Sequence, residues 1–279
     1  MNLSPNKIKD ILEDLYAEYN HRRLIKPDPL QFVYNYTDPA DMEIAALLAA
    51  VLAYGRVQQI EKSLTNLFDR MSPSPFRFVQ TFDSRKRNKL KTFKHRFNTG
   101  DDISDLLTLL KKVLAQNGSI ENFFAQNYNP AEANIVPTLT KFCDSLYKMH
   151  GSAITTGLKY LLASPARGSV CKRLNLFLRW MVRDDNVDTG LWKSVDKAKL
   201  IVPVDVHMGR LTKILGFHDQ KTLSLKTAVK ITANFAKITP DDPVKYDFAL
   251  SRIGILDNCT GRPHSRCRGC KLLAVCKSR

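Results

Sequence analysis

An aspartate, Asp205, follows an apolar, proline-bearing run and precedes an expected helix in the stretch KLIVPVDVHMGRLTKILGF at 199–217. Two roles suit a carboxylate at this position. It can accept hydrogen bonds from the first N–H groups of the helix, which stabilises a helix by about 0.5–2 kcal/mol. It can also be the reacting group of an enzyme, where a fixed negative charge stabilises a cationic transition state. The residues around Asp205 leave both roles open.

Lys172 is the second residue that could carry chemistry. It lies in GSVCKRLN at 168–175, within a stretch, 150–182, that predicts a helix, a Pro/Gly turn and a second helix. In that second helix an apolar stripe has the i, i+3, i+4, i+7, i+8 spacing of a core face, comprising Leu174, Phe177, Leu178, Met181 and Val182. Lys172, Asn175 and Arg179 share a polar face, where a lysine is ordinarily solvated. If burial lowered its pKa, Lys172 would be a nucleophile able to form a Schiff base.

Four of the six cysteines lie near the C-terminus with the spacing C-x7-C-x2-C-x5-C, at Cys259, Cys267, Cys270 and Cys276. Four soft ligands in so short a segment are enough to surround one metal ion or one iron–sulfur cube. A disulfide framework is not expected in a cytoplasmic chain. Zinc remains an alternative, with His264 as a further ligand, although zinc sites more often have paired C-x2-C motifs at both ends.

The charge of the chain indicates a polyanionic partner. Its 43 Lys+Arg and 27 Asp+Glu give a formal net charge of +16, which favours nucleic acid through neutralisation of phosphates. The segment 85–97 contains seven Lys/Arg with Phe93 and Phe97 between them. It is either a solvated helix face or a phosphate-binding stripe with aromatic platforms.

The remaining patterns predict an all-α protein. DMEIAALLAAVLAYG at 41–55 is apolar almost all round, as expected of a buried helix, and further helices are expected over 101–118, 223–238 and within 240–256. A polar connection covers 183–199. No apolar run approaches the roughly 20 residues of a membrane span, and the N-terminus is typical of an amphipathic helix, not a signal peptide. We therefore expect a cytoplasmic protein.

The cysteine segment resembles the C-terminal loop of the endonuclease III group of DNA glycosylases, which holds a four-iron, four-sulfur cluster with six residues between the first two cysteines, where this chain has seven. The resemblance implies that the four cysteines hold such a cluster. It also implies that the cluster shapes a basic loop on the DNA backbone, with Arg262, Arg266 and Arg268 as DNA contacts.

Two other segments resemble helix-hairpin-helix DNA glycosylases. VPVDVHMGRL at 202–211 is similar to the segment with the catalytic aspartate, which implies that Asp205 is catalytic. GSVCKRLN is similar to the second half of the hairpin motif, which implies that Lys172 is the lyase nucleophile and that Gly168 contacts a phosphate. Val170 stands where the second hairpin glycine is expected. The segment 42–64 resembles the first barrel helix and its following turn, and implies that Arg56 and Gln58 approach the base pair.

Three further stretches are DPLQFVYNYTDPADMEIAALLAAVLAYGRV at 28–57, LIVPVDVHM at 200–208 and DPVKYDFALSRIGI at 242–255. Through them most of the chain also resembles an uncharacterised bacterial family recorded as a domain of unknown function. The glycosylase resemblance implies two helical lobes: 1–38 with 200–279, closed by the cluster loop, and 39–199, a barrel that contains 150–182. The expected function is a DNA-repair N-glycosylase, with or without lyase activity, acting as a monomer on double-stranded DNA. The alternatives are a non-catalytic iron–sulfur protein that binds nucleic acid, and a zinc-clipped RNA-associated or scaffold protein.

Overall fold

The computed structural model describes residues 5–151, 153–256 and 259–276, and these are predominantly helical. The all-α prediction is confirmed at this level, while the glycosylase-like arrangement stays a prediction. The α-helices of the described residues are α1 Pro5–Tyr19, α2 Pro39–Val51, α3 Val57–Met71, α4 Pro75–Gln80, α5 Ser84–Leu90, α6 Gly100–Asn117, α7 Ile120–Ala125, α8 Val136–His150, α9 Thr156–Leu161, α10 Lys172–Val182, α11 Val206–Ile214, α12 Leu225–Ala236 and α13 Asp247–Leu256. Six short 3-10 segments lie between or after them.

The basic segment 85–97 does not form one helix. Helix α5 ends at Leu90, and the chain then forms a small antiparallel hairpin, β1 Lys94–His95 and β2 Asn98–Thr99. Phe93 is buried, whereas Phe97 is 53 % exposed at the hairpin turn. The two phenylalanines therefore have different roles, and only Phe97 is available to a partner.

Helix α2 is the most deeply buried helix of the chain that the structure describes. The Asp38 side chain caps it through the Ala40 N–H, and every residue from Glu43 to Val51 is buried. It packs against α10 and against the 3-10 segment Pro29–Asn35. The predicted core helix over 41–55 is thus confirmed, although it ends at Val51 and a turn follows.

Helix α10 has the predicted apolar stripe at its core face, and all five of its residues are buried. Its polar face differs from the expectation, because Asn175 and Arg179 are also buried. Arg179 donates from Nε to Asp188 Oδ1 at 3.2 Å, and it pairs through Nη1 with Asp247 Oδ2. On this face Arg179 therefore meets buried carboxylates instead of solvent, whereas Lys172 is 34 % exposed.

The connection 183–199 is irregular but firmly packed. Arg183 pairs with Asp185, Asp188 and Asp242 at 2.8, 2.5 and 2.9 Å. The backbone of the connection returns to α10, where the Thr189 and Trp192 N–H groups donate to the Trp180 and Met181 carbonyls. Buried ion pairs need such complete partnering, since an uncompensated charge in the interior costs several kcal/mol.

The two ends of the chain meet on α13. Helix α1 packs against α13 and against the 3-10 segment Lys271–Ala274, and α11 also packs against α13. Helix α6 contacts α4, α5, α7, α8 and α9. The predicted division into 1–38 with 200–279 and 39–199 stays a prediction. Within the described part of the chain, no helix is long and apolar enough to span a bilayer.

A buried carboxylate, Glu43, joins three distant parts of the fold. It accepts hydrogen bonds from the Ile120 N–H at 2.9 Å, the Glu121 N–H at 2.8 Å and Trp192 Nε1 at 2.8 Å. Burial raises its pKa, and the three donors partly oppose that rise. Glu43 thereby links α2, the start of α7 and the connection 183–199.

We predict that Glu43→Gln lowers the free energy of unfolding by about 1–3 kcal/mol. The NH2 group of glutamine cannot accept a hydrogen bond, so at least one buried N–H donor that now contacts Glu43 would lose its partner. Urea unfolding followed by circular dichroism measures the change. Glu18→Gln is the control, since Glu18 pairs with Lys271 where both side chains are 45 % exposed, and we expect a change within about 0.5 kcal/mol. Equal unfolding midpoints for wild type and Glu43→Gln would contradict the prediction.

Candidate active site

A cleft of about 980 Å³ opens where α10, the segment 203–208 and α13 meet. The turn after α2 and helix α9 contribute its other walls. The Asp205 and Lys172 side chains both line this cleft. The structure therefore brings together the two residues that the sequence singled out, although 33 positions separate them in the chain.

Asp205 caps a helix with one carboxylate oxygen and contacts Lys172 with the other, and its catalytic role stays a prediction. Its Oδ1 accepts the His207 and Met208 N–H groups, each at 2.9 Å, and so caps α11. Its Oδ2 lies 3.1 Å from Lys172 Nζ, with the aspartate and lysine side chains 26 % and 34 % exposed. Capping uses one oxygen and leaves the other for the lysine and the cleft.

The surroundings of Asp205 favour the ionised carboxylate. Burial alone would raise its pKa, but the charge of Lys172 and the Met208 N–H hydrogen bond oppose this effect. The net result is a pKa below its usual value. Asp205 thus presents a negative charge to the cleft at neutral pH.

Lys172 is placed by an unusual turn before α10. Gly168 ends the 3-10 segment Pro165–Arg167 in the left-handed region, with φ +73°, and its surface is exposed. Cys171, immediately before α10, is also left-handed with φ +53°. Val170 is half-buried and packs on the core. The turn therefore has its second left-handed residue at Cys171, one position after the one where the hairpin resemblance expects glycine.

An aromatic edge, made of Tyr54, Phe97 and Tyr160, lies beside the cleft. Its ring centroids are 4.4–5.4 Å apart. The Arg173 guanidinium lies 4.3 Å from the Tyr160 ring centroid and 5.0 Å from that of Tyr54. Tyr54, Tyr160 and Arg173 line the cleft, so this edge combines stacking surfaces with positive charge.

Other residues predicted to contact DNA lie around the rim. Arg56 and Gln58 are exposed at the start of α3. Their neighbours Gly55 and Val57 line the cleft, whereas Arg56, Gln58 and Gly168 do not. The structure thus places these three residues at or near the opening, and their predicted contacts with DNA stay predictions.

The sequence analysis missed the charged floor of the cleft, which we define as Arg179, Asp247 and Arg252. All three line the cleft and are almost fully buried. Burial raises the pKa of Asp247 to about 6, with Arg179 opposing and Asp205 adding to the rise. A signal was present in the sequence, since Asp247 and Arg252 are charged residues in the otherwise apolar helix segment DFALSRIGIL.

His207 also lines the cleft. Its Nδ1 is buried without a hydrogen-bond partner in the described residues. A Cβ atom added at Gly254 would lie 2.8 Å from this nitrogen, so α11 and α13 approach closely there because residue 254 has no side chain. His207 therefore packs between two helices of the site.

The four cysteines of the tail are half-buried. The tail contacts the fold: Leu272 and Val275 are buried, and Arg210 Nη1 on α11 donates to the Cys259 carbonyl at 2.6 Å. Thiolates suit an iron–sulfur cluster or zinc by their chemistry. In the described residues, however, no three Cys, His, Asp or Glu side chains are grouped so that they could hold a metal ion. The cluster therefore stays a prediction, which requires these side chains to turn toward a common centre.

Two of the three predicted arginine contacts of the tail are exposed, namely Arg262 and Arg268. The side chain of Arg266 lies outside what the structure describes. No acidic residue occurs between Cys259 and Arg279. The tail is therefore a positively charged segment, and its contact with DNA stays a prediction.

We predict that the Lys172–Asp205 pair makes stability depend on pH. Because the pKa of Asp205 is lowered in the folded state, its stabilisation is present above the unfolded-state pKa of about 4 and is lost as pH falls through the folded value. Asp205→Asn keeps a good helix cap. Its free energy of unfolding should be lower than that of wild type by about 1 kcal/mol near pH 7, with the difference shrinking below about pH 4.

Urea unfolding at several pH values measures this difference. The matched control is Asp38→Asn, since Asp38 caps α2 from an exposed position and no cation contacts it among the described residues. The difference in free energy of unfolding between wild type and Asp38→Asn should vary less with pH. A difference for Asp205→Asn that is the same at pH 7 and pH 3 would contradict an ion pair.

Comparison with known proteins identifies the family of this chain and gives no similar protein of known function or structure. Neither the curated proteins nor the solved structures gave a significant match to this chain. One family model matches residues 28–256, which include the Lys172–Asp205 pair and the charged floor but not the cysteine tail. This match covers most of the chain, and the protein therefore belongs to the family described as Protein of unknown function (DUF2400).

Proposed function

We propose that this protein is a DNA-repair N-glycosylase with lyase activity, which acts on a damaged base turned out of duplex DNA into the cleft. The observation that carries the proposal is the contact of 3.1 Å between Lys172 Nζ and Asp205 Oδ2 in the cleft wall. An amine and a carboxylate at this distance are the two groups needed for attack on a sugar carbon with charge stabilisation. The resemblance of both segments to glycosylases supports the same assignment.

In the proposed reaction the bond between sugar C1′ and the base nitrogen breaks, and the base leaves with the electron pair and takes up a proton. The sugar becomes cationic, and the Asp205 carboxylate stabilises it. Lys172 Nζ, after giving a proton to Asp205 or water, bonds to C1′. The nitrogen then loses a proton and forms the C1′=N bond of a Schiff base as the C1′–O4′ bond breaks and O4′ takes up a proton. Loss of a C2′ proton to water then expels the 3′ phosphate, which leaves with the electron pair of its C3′–O bond.

The surface around the cleft supports DNA as the partner. Phe97 is 53 % exposed and Val57 is 40 % exposed. Positive side chains accompany them, with Lys159, Arg167 and Arg173 in the cleft lining. Exposed aromatic rings beside cations suit base stacking and phosphate contacts. Turning a base out of the duplex requires such groups to replace lost stacking.

The cluster is part of the same proposal. We propose that Cys259, Cys267, Cys270 and Cys276 hold a four-iron, four-sulfur cluster, with zinc as the alternative, and that the cluster orders the basic tail against DNA. No step of the reaction passes through this cluster. The two remaining cysteines are unsuited as ligands, because burial raises the thiol pKa of Cys171 to about 11 and that of Cys143 further.

We predict that Lys172 forms a covalent adduct with an abasic site. Borohydride reduces a Schiff base to a stable amine, so incubation of wild-type protein with a duplex containing one abasic site should give a trapped complex. Lys172→Ala should lower its yield at least tenfold. Lys159→Ala is the matched control, since Lys159 is another lysine of the cleft lining, and we expect a yield within about threefold of wild type.

Base release separates the two proposed activities. Asp205→Asn should lower the release rate by about 10²–10³-fold, the size expected when charge stabilisation is removed. Release without trapping indicates a glycosylase that lacks lyase activity. A folded protein that binds duplex DNA but releases no base and forms no adduct would overturn the proposal. That outcome indicates the non-catalytic binding protein, which the half-buried Val170 in the hairpin position favours.

The metal prediction has its own measurement. Protein purified without oxygen should contain about four irons per chain and absorb broadly in the visible range. Serine in place of any one of the four tail cysteines should lower the iron content, whereas Cys143→Ala should not, because Cys143 is buried in the core. Stoichiometric zinc in a colourless preparation would contradict the iron–sulfur cluster.

A further inference from the structure

The charged floor of the cleft has polar atoms without partners. Arg179, Asp247 and Arg252 have side chains that are 2 %, 4 % and 0 % exposed. Arg179 Nη2, Asp247 Oδ1 and Arg252 Nε have no hydrogen-bond partner among the described residues. A buried polar group without a partner destabilises the fold. Three of them on residues that line one cleft indicate a place for a polar ligand.

The rest of each side chain is held in place. Arg179 is fixed by Asp188 and Asp247. Arg252 Nη1 donates to the Leu24 and Ile25 carbonyls at 3.2 and 3.3 Å. The unpaired atoms therefore belong to preorganised groups, which can bind a ligand without losing much conformational entropy.

The chemistry of these atoms selects a ligand. Two arginine nitrogens can donate, and one carboxylate oxygen accepts. The complementary group has two carbonyl oxygens and one N–H, which is the imide edge of an oxo-pyrimidine such as uracil. Hypoxanthine offers one carbonyl and one N–H on its pairing edge, so one arginine donor would stay unpaired. Sites that hydrogen-bond a polar group strongly disfavour analogues that lack it.

We propose that the charged floor is a base-recognition site for the imide edge of an oxo-pyrimidine. This inference rests on the proposed function, because the base reaches the floor only if it is turned into the cleft beside Lys172 and Asp205. The charged floor would provide selectivity between bases, which Lys172 and Asp205 cannot provide because both act on the sugar.

The test uses the full chain and three duplexes, containing one uracil, one hypoxanthine or one abasic site. Uracil should be released at least tenfold faster than hypoxanthine. Asp247→Asn should lower the ratio of uracil release to abasic-site trapping at least tenfold, because an abasic site has no base to bind. Glu13→Gln is the matched control: it removes a carboxylate that pairs with Lys245 but does not line the cleft, and its ratio should stay within about threefold of wild type.

A second variant tests the same site in case Asp247→Asn does not fold. Ser251 lies on the cleft side of α13 and is half-buried, and Ser251→Leu adds volume there without removing a charge. It should also lower the ratio at least tenfold. Circular dichroism confirms that each variant is folded.

The outcomes separate this inference from the proposed function. Trapping at the abasic site together with equal release of uracil and hypoxanthine overturns the recognition site alone. An unchanged ratio in both Asp247→Asn and Ser251→Leu does the same, and indicates that ordered water pairs with the floor. Absence of both trapping and release in folded protein overturns the proposed function and this inference together.

Discussion

The structure depends on the compensation of two buried arginines. Arg179 on α10 and Arg183 directly after this helix extend into the interior, where a positive charge is tolerated only beside carboxylates. Asp188, in the connection 183–199, pairs with both arginines. Asp247 on α13 pairs with Arg179, and Asp242, in the segment before α13, pairs with Arg183. This requirement brings the connection 183–199 and α13 onto α10. The floor of the cleft is a direct result, since Arg179 and Asp247 belong to both the network and the lining.

The reacting pair is a further result of the same packing. Helix α10 begins with Lys172, and α11 begins directly after Asp205, so the two residues stand at the N-terminal ends of helices. Both helix ends face the cleft, and α13 contacts α11 there through the approach of His207 to Gly254. A cap and a reactive carboxylate are compatible in one residue because a carboxylate has two oxygens, each with its own partner.

Much of the fold was predictable from periodicity. The buried α2, the apolar stripe of α10 and the helices near 101–118 and 223–238 follow from local patterns, because apolar spacing directly reflects which face is covered. The burial of Arg179 was not predictable, since its acidic partners, Asp188 and Asp247, lie in later segments. The hairpin over 94–99 was not predicted, because charge dominates this part of the sequence and conceals the burial of Phe93 and His95.

The site was predictable in part. Asp205 and Lys172 were found through motifs, which report positions but not contacts. Arg252 and Asp247 were not found, because a charge in an apolar helix has meaning only once its surroundings are known. For the four tail cysteines, the spacing in the sequence indicates a metal site more clearly than the arrangement of their side chains in the structure does.

The connection 183–199 has little regular secondary structure, and such segments usually tolerate insertions well. Here the usual rule should fail. Arg183, Asp188 and Trp192 are anchored in the interior at intervals of a few residues, and Trp192 reaches Glu43 on α2. Homologous chains should therefore vary in length after Val195 but keep the spacing between Arg183 and Val195. The buried contacts of these side chains limit how far the length of this segment can change during evolution, although the segment has the irregular backbone of an ordinary loop.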